Sequence, residues 1–166
     1  MTSAQSKSLL SDGVIAEIDH WIKKFPEGQK RSAVIAALTA AQEENGGWLN
    51  TAIMDAVADY LEMPRIAVYE VASFYSLFHT QPVGRHKISV CTNISCMLCG
   101  GREIVSHLER KLGIKEGETT SDGRITLVKE EECLAACCGA PMMVVDGHYH
   151  EHLTLEKVDE IVDGLE

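Results

Sequence analysis

Two stretches, Cys91-Thr92-Asn93-Ile94-Ser95-Cys96-Met97-Leu98-Cys99 and Cys133-Leu134-Ala135-Ala136-Cys137-Cys138, decide how this chain is expected to fold. All six cysteines lie in them. Thiols gathered in this way form disulfides, act as a redox-active dithiol, or bind a metal ion or an iron-sulfur cluster. Disulfides are disfavoured, because the opening residues do not resemble a secretory signal and 166 residues can bury a core without cross-links. The pattern therefore favours metal or cluster binding.

The cysteine spacing leaves three kinds of thiol site open. Zinc sites usually pair cysteines with two to four intervening residues, which fits Cys96 with Cys99 and also the second stretch. A thioredoxin-type dithiol would use the same pair, but an additional cysteine, Cys91, precedes it. A two-iron, two-sulfur cluster needs four thiolates, and the first stretch also matches the spacing of plant-type ferredoxins. The helical first half and the strand-helix-strand order described below argue against the plant-type fold.

Apolar residues recur at helical spacing through residues 14–72, which predicts four amphipathic helices in the first half of the chain. Capping residues and helix breakers set the expected boundaries: Ser11 or Asp12 and Pro26 for the first helix, residues 30–44 with Asn45-Gly46-Gly47 for the second, Asn50 or Thr51 for the third, and Pro64 for the fourth. Helices with facing apolar stripes predict a small helical bundle.

Two features of this half allow other interpretations. The turn at Met63-Pro64-Arg65 could join the helices of a DNA-binding helix-turn-helix, which together with the cysteines would make a metal-binding regulator. Residues 1–82 hold 6 Lys or Arg against 10 Asp or Glu, and an acidic surface is a poor DNA-binding surface. The run Phe74-Tyr75-Ser76-Leu77-Phe78 is too compact to lie wholly in a core. Part of it is expected to pack across a domain or subunit boundary.

Strand-like alternation replaces the helical period after Gln81-Pro82-Val83-Gly84, so this stretch is predicted to link a helical module, residues 1–82, to a second domain, residues 83–166. The second domain is predicted to have the order β-α-β-β-β-α, with strands over residues 87–90, 125–128, 142–145 and 148–151, a helix between Gly100-Gly101 and Gly113, a tight turn at Asp146-Gly147, and a last helix capped by Thr154. A right-handed crossover would make the first two strands parallel, so that both cysteine loops leave the same edge of a thioredoxin-like sheet.

The composition argues against two classes of function. The chain has 25 acidic and 15 basic residues, a formal charge of -10, so a sequence-independent grip on nucleic acid phosphate is not expected. No apolar run approaches the roughly 20 residues that a membrane-spanning helix needs. The opening residues do not resemble a transit peptide. We therefore expect a protein of a reducing, cytoplasm-like compartment.

Two groups of titratable residues carry weaker hypotheses. Glu130-Glu131-Glu132 directly precedes Cys133, and this negative charge could lower the reduction potential of a cluster, although a solvated charge run is nearly as good an explanation. His148, His150 and His152 alternate, which predicts one face of a strand. A metal site is conceivable there, but a solvated hairpin face is more typical.

The cysteine pattern, Cys91-x4-Cys96 with Cys133-Leu-Ala-Ala-Cys137 followed by Gly139-Ala140-Pro141, resembles that of the thioredoxin-like [2Fe-2S] subunits of NADH:quinone oxidoreductase, respiratory complex I, where the bacterial representative is called the E subunit. The resemblance covers nearly the whole chain. Outside the cysteine loops it is carried by residues 25–28, 45–49, 68–75, 81–84 and 113–120. It implies an N-terminal helical bundle followed by a thioredoxin-like [2Fe-2S] ferredoxin domain.

The resemblance also implies a site and partners. It implies that a [2Fe-2S] cluster is bound by four thiolates, those of Cys91, Cys96, Cys133 and Cys137. Cys99 and Cys138 would then be spare thiols. The implied partner is a flavoprotein that binds FMN and NADH, in the peripheral arm of a respiratory complex on the cytoplasmic face of the membrane. Equivalent subunits of NAD-linked hydrogenases and formate dehydrogenases are alternatives.

Nucleotide-binding motifs are missing from the sequence. It contains neither G-x-G-x-x-G after a strand nor G-x-x-x-x-G-K-[ST], so no dinucleotide site is evident in this chain. Hydride chemistry is therefore expected to fall to the partner, while this chain stores or relays single electrons.

Overall fold

The computed structural model describes residues 9–129 and 133–166. The chain divides between Pro82 and Val83 into two compact units, within the stretch predicted to be the linker. Nowhere in the described residues is a helix both long enough and apolar enough to cross a bilayer. The Glu130-Glu131-Glu132 run, for which the sequence raised a charge hypothesis, lies outside the described residues.

The first unit is built from four α-helices among its described residues: α1 (Asp12–Ile22), α2 (Val34–Glu44), α3 (Thr51–Leu61) and α4 (Arg65–Phe74). Two predicted N-caps are confirmed. Ser11 Oγ accepts a hydrogen bond from the Val14 N–H, and Asn50 Oδ1 accepts one from the Ile53 N–H. Capping satisfies a backbone donor that has no partner inside the helix.

Two helix boundaries differ from the prediction. α1 ends at Ile22, before Pro26, and the first turn of the predicted second helix is a 3-10 turn, Lys30–Ala33. Helix periodicity alone does not distinguish a 3-10 turn from the first turn of an α-helix, since the same residues share a face in both. The core of the unit contains fully buried aliphatic side chains, among them Ile18, Leu38, Leu49, Val57, Leu61 and Val68.

The aromatic run after α4 is mostly outside the core. Phe78 is buried, whereas 77% of Phe74 and 46% of Leu77 are exposed. The backbone of this segment is nevertheless fixed, because the buried Gln42 donates from Nε2 to the Leu77 main-chain oxygen at 3.0 Å and accepts the His79 N–H at 2.8 Å. The exposed apolar side chains are therefore presented on an ordered segment.

The second unit is a four-stranded sheet with α-helices α5 (Ile94–Leu98), α6 (Gly101–Leu112) and α7 (Leu155–Asp163). Its strands are β1 (His86–Val90), β2 (Ile125–Val128), β3 (Met143–Val145) and β4 (His148–His150), in the spatial order β2-β1-β3-β4. β1 and β2 are parallel, while β3 is antiparallel to both β1 and β4. The predicted element order is confirmed, except that α5 was not predicted.

Local signals set the ends of several elements here. Asp146 and Gly147 form the two-residue loop between β3 and β4 with φ of 49° and 82°, as expected of a type I′ hairpin turn. Thr154 caps α7 by accepting the Lys157 N–H. β4 ends at His150, and His152 has a φ of 49°, so the predicted histidine face does not extend to His152.

The parallel pairing of β1 and β2 positions the cysteine loops. Their register runs from His86 beside Ile125 to Ser89 beside Val128, so both strands end at the same edge of the sheet. Cys91 directly follows β1, and its N–H donates to the Met142 main-chain oxygen at 3.1 Å. The first cysteine is thus fixed between two strand ends, as predicted from the strand order.

Candidate metal centre

Four of the six cysteines line one cavity of about 310 Å³, whose lining is Cys91, Asn93, Ile94, Ser95, Cys96, Cys133 and Cys137. These four are the predicted ligands. Cys99 and Cys138 are exposed and are not among the lining residues. The sulfur atoms of Cys133 and Cys137 lie 3.6 Å apart. In the described part of the chain, no three His, Cys, Asp or Glu side chains are grouped closely enough to hold a single metal ion.

The cavity is asymmetric in its exposure. Cys91 and Cys96, from the first loop, are 2% and 1% exposed and pack with the buried Met142. Cys133 and Cys137, from the second loop, are exposed. A group bound by all four thiols would therefore have one side in the protein interior and the other side toward the surface.

The short helix α5 sets the position of Cys96. Asn93 Oδ1 accepts the Ile94 N–H at 2.9 Å, and the Asn93 main-chain oxygen accepts the Met97 N–H at 2.8 Å. Cys96 lies on the buried side of α5, while Ile94 and Leu98 are 70% and 77% exposed. Sequence reasoning missed this helix. The signal that could have found it is Asn93, a residue type strongly preferred as an N-cap.

Gly101, the first residue of α6, allows the backbone to approach the first cysteine loop. A Cβ built on Gly101 would lie 2.7 Å from the Cys91 main-chain oxygen and 2.9 Å from that of Cys96. Its φ is not in the left-handed region, so close approach, and not an unusual backbone conformation, requires glycine at this position. The preceding Gly100 does have a left-handed φ, of 94°.

The second cysteine loop has an irregular backbone. Ala135 has a φ of 62°, which is uncommon for a residue with a Cβ, and Cys137–Gly139 forms a 3-10 turn. Leu134, Ala136 and Ala140 pack against the buried cysteines. This part of the loop therefore covers Cys91 and Cys96.

The surroundings shift the thiol pKa values in opposite directions. Burial, reinforced by a hydrogen bond with Cys91, raises the pKa of Cys96 to about 11. Burial also opposes ionisation of Cys91, but hydrogen bonds from the Leu134 and Asn93 N–H groups and from the neighbouring thiols outweigh it and lower the pKa of Cys91. Cys91 is thus the more readily ionised member of the buried pair, and a thiol must lose its proton to bind a metal.

The pKa of Cys133 is also shifted. The Ala135 N–H lowers the pKa of Cys133, but hydrogen bonding with Cys137 and burial outweigh that effect and raise it. Two thiols that share one proton in this way lose the second proton less readily. A cationic iron centre would favour the thiolate form of all four cysteines.

Comparison with known protein families gives one match that covers most of the chain. Residues 18–166 match the family described as thioredoxin-like [2Fe-2S] ferredoxin. The match includes the helical first unit as well as the sheet that carries the cysteines.

Two curated relatives illustrate the similarity. The chain is 46% identical over 144 residues to the E subunit of the NADH-quinone oxidoreductase of Rickettsia bellii, covering 87% of this chain and 86% of the relative. It is 44% identical over 149 residues to the second of the numbered E subunits of the NADH-quinone oxidoreductase of Rhizobium meliloti, covering 90% of this chain and 86% of that protein.

Among solved structures, the chain resembles the NAD+-reducing [NiFe]-hydrogenase in its air-oxidised state. The TM-score is 0.65 with 21% sequence identity, over 77% of this chain. The match spans 22% of that hydrogenase chain. At this identity the likeness establishes a shared fold.

Proposed function

Because the chain belongs to the thioredoxin-like [2Fe-2S] ferredoxin family, we propose that it is the iron-sulfur electron-transfer subunit of an NADH:quinone oxidoreductase. Its family, its α/β fold class and its [2Fe-2S] cofactor are as the sequence predicted. The curated relatives, with identities of 46% and 44%, carry the choice of host enzyme. The hydrogenase likeness concerns the fold and does not favour a hydrogenase as host.

The observation that carries this function is the single cavity lined by four thiols from two loops. We propose that each loop binds the cluster through two thiolates, those of Cys91 and Cys96 in the first loop and of Cys133 and Cys137 in the second. The donor set fits the cofactor, since four cysteine thiolates are the usual ligands of a two-iron, two-sulfur cluster. The bound cluster supplies one-electron redox chemistry.

The residues around the cluster have separate tasks in this proposal. Cys91 and Cys96 anchor it to the sheet edge through β1 and α5, and Met142 and Leu134 exclude water from the buried side. The N–H groups of Asn93 and Leu134 stabilise the Cys91 thiolate. The exposed side, at Cys133 and Cys137, leaves a path for electrons to and from a partner.

The proposed partner is a flavoprotein subunit that binds FMN and NADH and exchanges single electrons with this chain. The sequence has no evident dinucleotide motif of its own. Exposed apolar side chains support protein docking, and they occur in both units: Ile66, Phe74 and Leu77 in the first, and Ile94, Met97 and Leu98 in the second. Exposed apolar patches of this kind mark interaction surfaces.

We further propose that the complex places this chain in its peripheral arm, on the cytoplasmic side of the membrane. The acidic composition and the thiol chemistry support an aqueous, reducing location, in which free cysteines persist.

Cluster analysis of the purified protein tests the proposal. The protein should be brown, with about two iron and about two acid-labile sulfide per chain, and should give a paramagnetic signal after one-electron reduction. A colourless protein that contains zinc would contradict it. Copurification with a flavin-containing subunit tests the partner separately from the cluster.

A further inference from the structure

The side chain of Glu151 lies across Gly139 in the second cysteine loop. A Cβ built on Gly139 would lie 2.5 Å from Glu151 Cδ and 2.6 Å from Glu151 Cβ and Cγ. Gly139 is buried and its φ is not in the left-handed region, so a side chain is missing there for reasons of space and not of backbone conformation. The exposed Glu151 therefore occupies the place that a side chain at position 139 would take.

Main-chain hydrogen bonds hold the two segments together. The Gly139 N–H donates to the Ala136 main-chain oxygen at 3.0 Å, and the His152 N–H donates to the Gly139 oxygen at 2.7 Å. The Leu153 N–H donates to the Pro141 oxygen at 2.9 Å. The position of Glu151 relative to the loop is thus fixed by its own backbone neighbours.

The carboxylate of Glu151 keeps its charge uncompensated by direct pairing. Within residues 9–129 and 133–166 it forms no ion pair. Lys157, which starts close by on α7, donates from Nζ to the Glu151 main-chain oxygen at 2.6 Å and not to the carboxylate. A full negative charge is therefore presented to the loop.

That charge lies close to a proposed cluster ligand. Gly139 and Cys137 belong to the same three-residue 3-10 turn. Two residues of 3-10 rise span about 4 Å, which is short compared with the Debye length of about 8 Å at physiological salt. Solvent ions therefore screen the interaction only in part.

We propose that the Glu151 carboxylate lowers the reduction potential of the [2Fe-2S] cluster. The inference builds on the proposed function, in which the cluster is bound by Cys137. Reduction adds one electron to a centre that is already anionic, and nearby negative charge disfavours the reduced form. Glu151 acts through space on the cluster and is not a ligand to it.

The test is a redox titration of the full-length protein with its cluster, using dithionite as reductant and paramagnetic resonance as readout. Glu151→Gln keeps the shape of the side chain and removes the charge. Its midpoint potential should be higher than that of the wild type, with unchanged g-values, and the difference should shrink as salt is raised. Glu160→Gln on α7 is a matched control, because it removes the same charge from an exposed residue. It should shift the potential less.

Several results would overturn the inference. They are an unchanged midpoint in Glu151→Gln, or a shift no larger than that of Glu160→Gln. A shift in Glu151→Ala that Glu151→Gln does not share would also overturn it, since packing and not charge would then be responsible. A wild-type protein without a [2Fe-2S] signal would instead contradict the proposed function. The two failures are therefore distinguishable.

Discussion

Gly101 approaches Cys91 so closely that a Cβ on Gly101 would lie 2.7 Å from the Cys91 main-chain oxygen. The first turn of α6 is thereby packed on the backbone that carries the first two proposed ligands. No flexible side chain separates them, so a larger residue at position 101 can be accommodated only by moving the backbone.

Gly101→Ala should therefore weaken the cluster site. Overpacking of this kind costs about 1–3 kcal/mol of stability, and here the displaced atoms carry the ligands. The variant should lose its visible absorption faster than the wild type when mixed with an iron chelator. Gly164→Ala is the matched control, because a Cβ there would meet only the Glu160 and Ile161 oxygens, at 3.4 and 3.5 Å. Equal cluster lifetimes in the two variants would contradict the prediction.

His86 provides a pH-dependent contribution to stability. Its Nδ1 lies 2.6 Å from Asp146 Oδ2 and its Nε2 lies 2.9 Å from the Glu166 main-chain oxygen, so both nitrogens face acceptors. The hydrogen bond with Asp146, followed by that with Glu166, raises the pKa of His86 above its usual value, although burial and Arg85 act in the opposite direction. The imidazolium form, which donates from both nitrogens, is therefore favoured in the folded state.

The sign of the effect follows from the raised pKa. The stabilisation is fully present below the unfolded pKa of about 6.5 and is lost as the pH rises through the higher folded pKa. His86→Gln should thus lose about 1–2 kcal/mol of unfolding free energy relative to wild type at about pH 5.5, and less at about pH 9. Denaturant unfolding at both values measures this. The exposed His148→Gln is the control, and a loss that grows with pH in His86→Gln would refute the assignment.

The exposed Phe74 is predicted to dock the flavoprotein partner. It is 77% exposed at the end of α4, so Phe74→Ser should change the unfolding free energy little. If Phe74 is buried by the partner, its truncation should weaken the complex by about 1–3 kcal/mol, measurable by calorimetry or copurification. Tyr149→Ser removes another exposed aromatic, 58% exposed on β4, and should bind normally.

A truncation tests the same assignment at the level of the whole first unit. Removing the residues before Gly84 should leave the cluster bound and weaken association with the flavoprotein. Unchanged affinity would show that the helical unit does not supply the main docking surface.

Local chemistry explains what the sequence predicted well. The caps Ser11, Asn50 and Thr154, and the Asp146-Gly147 turn, act through contacts within three residues, so their effects can be read from a single stretch. The meeting of the two cysteine loops was predictable because parallel strands end at the same edge of a sheet.

Contacts between distant residues explain what was missed. α5 has five residues, too few for helical periodicity to be detected, and its position depends on the burial of Cys96. The contacts of Gly101 with Cys91 and of Glu151 with Gly139 exist only after the strands pair. Periodicity likewise could not tell the exposed Phe74 from the buried Phe78, since both lie in one apolar run.

The ligand set gives the most discriminating prediction. The proposed cluster uses two thiolates from each loop, whereas plant-type binding would require Cys99, and a zinc site would most naturally take Cys96 with Cys99. Cys99 and Cys138 are exposed and do not line the cavity. Cys99→Ser and Cys138→Ser should therefore retain the visible and paramagnetic-resonance spectra of the wild type.

Removing a proposed ligand should have the opposite result. Alanine at any of the four cavity cysteines should abolish or grossly alter both spectra, because three thiolates leave one iron without its full set of ligands. The buried Cys91 and Cys96 should be least tolerant, since no solvent ligand can enter readily where the side chains are 2% and 1% exposed. The exposed Cys137 could admit water, so Cys137→Ser and Cys137→Ala should differ more from each other than the same pair at Cys96. Loss of the cluster in Cys99→Ser with its retention in Cys137→Ala would overturn the ligand assignment.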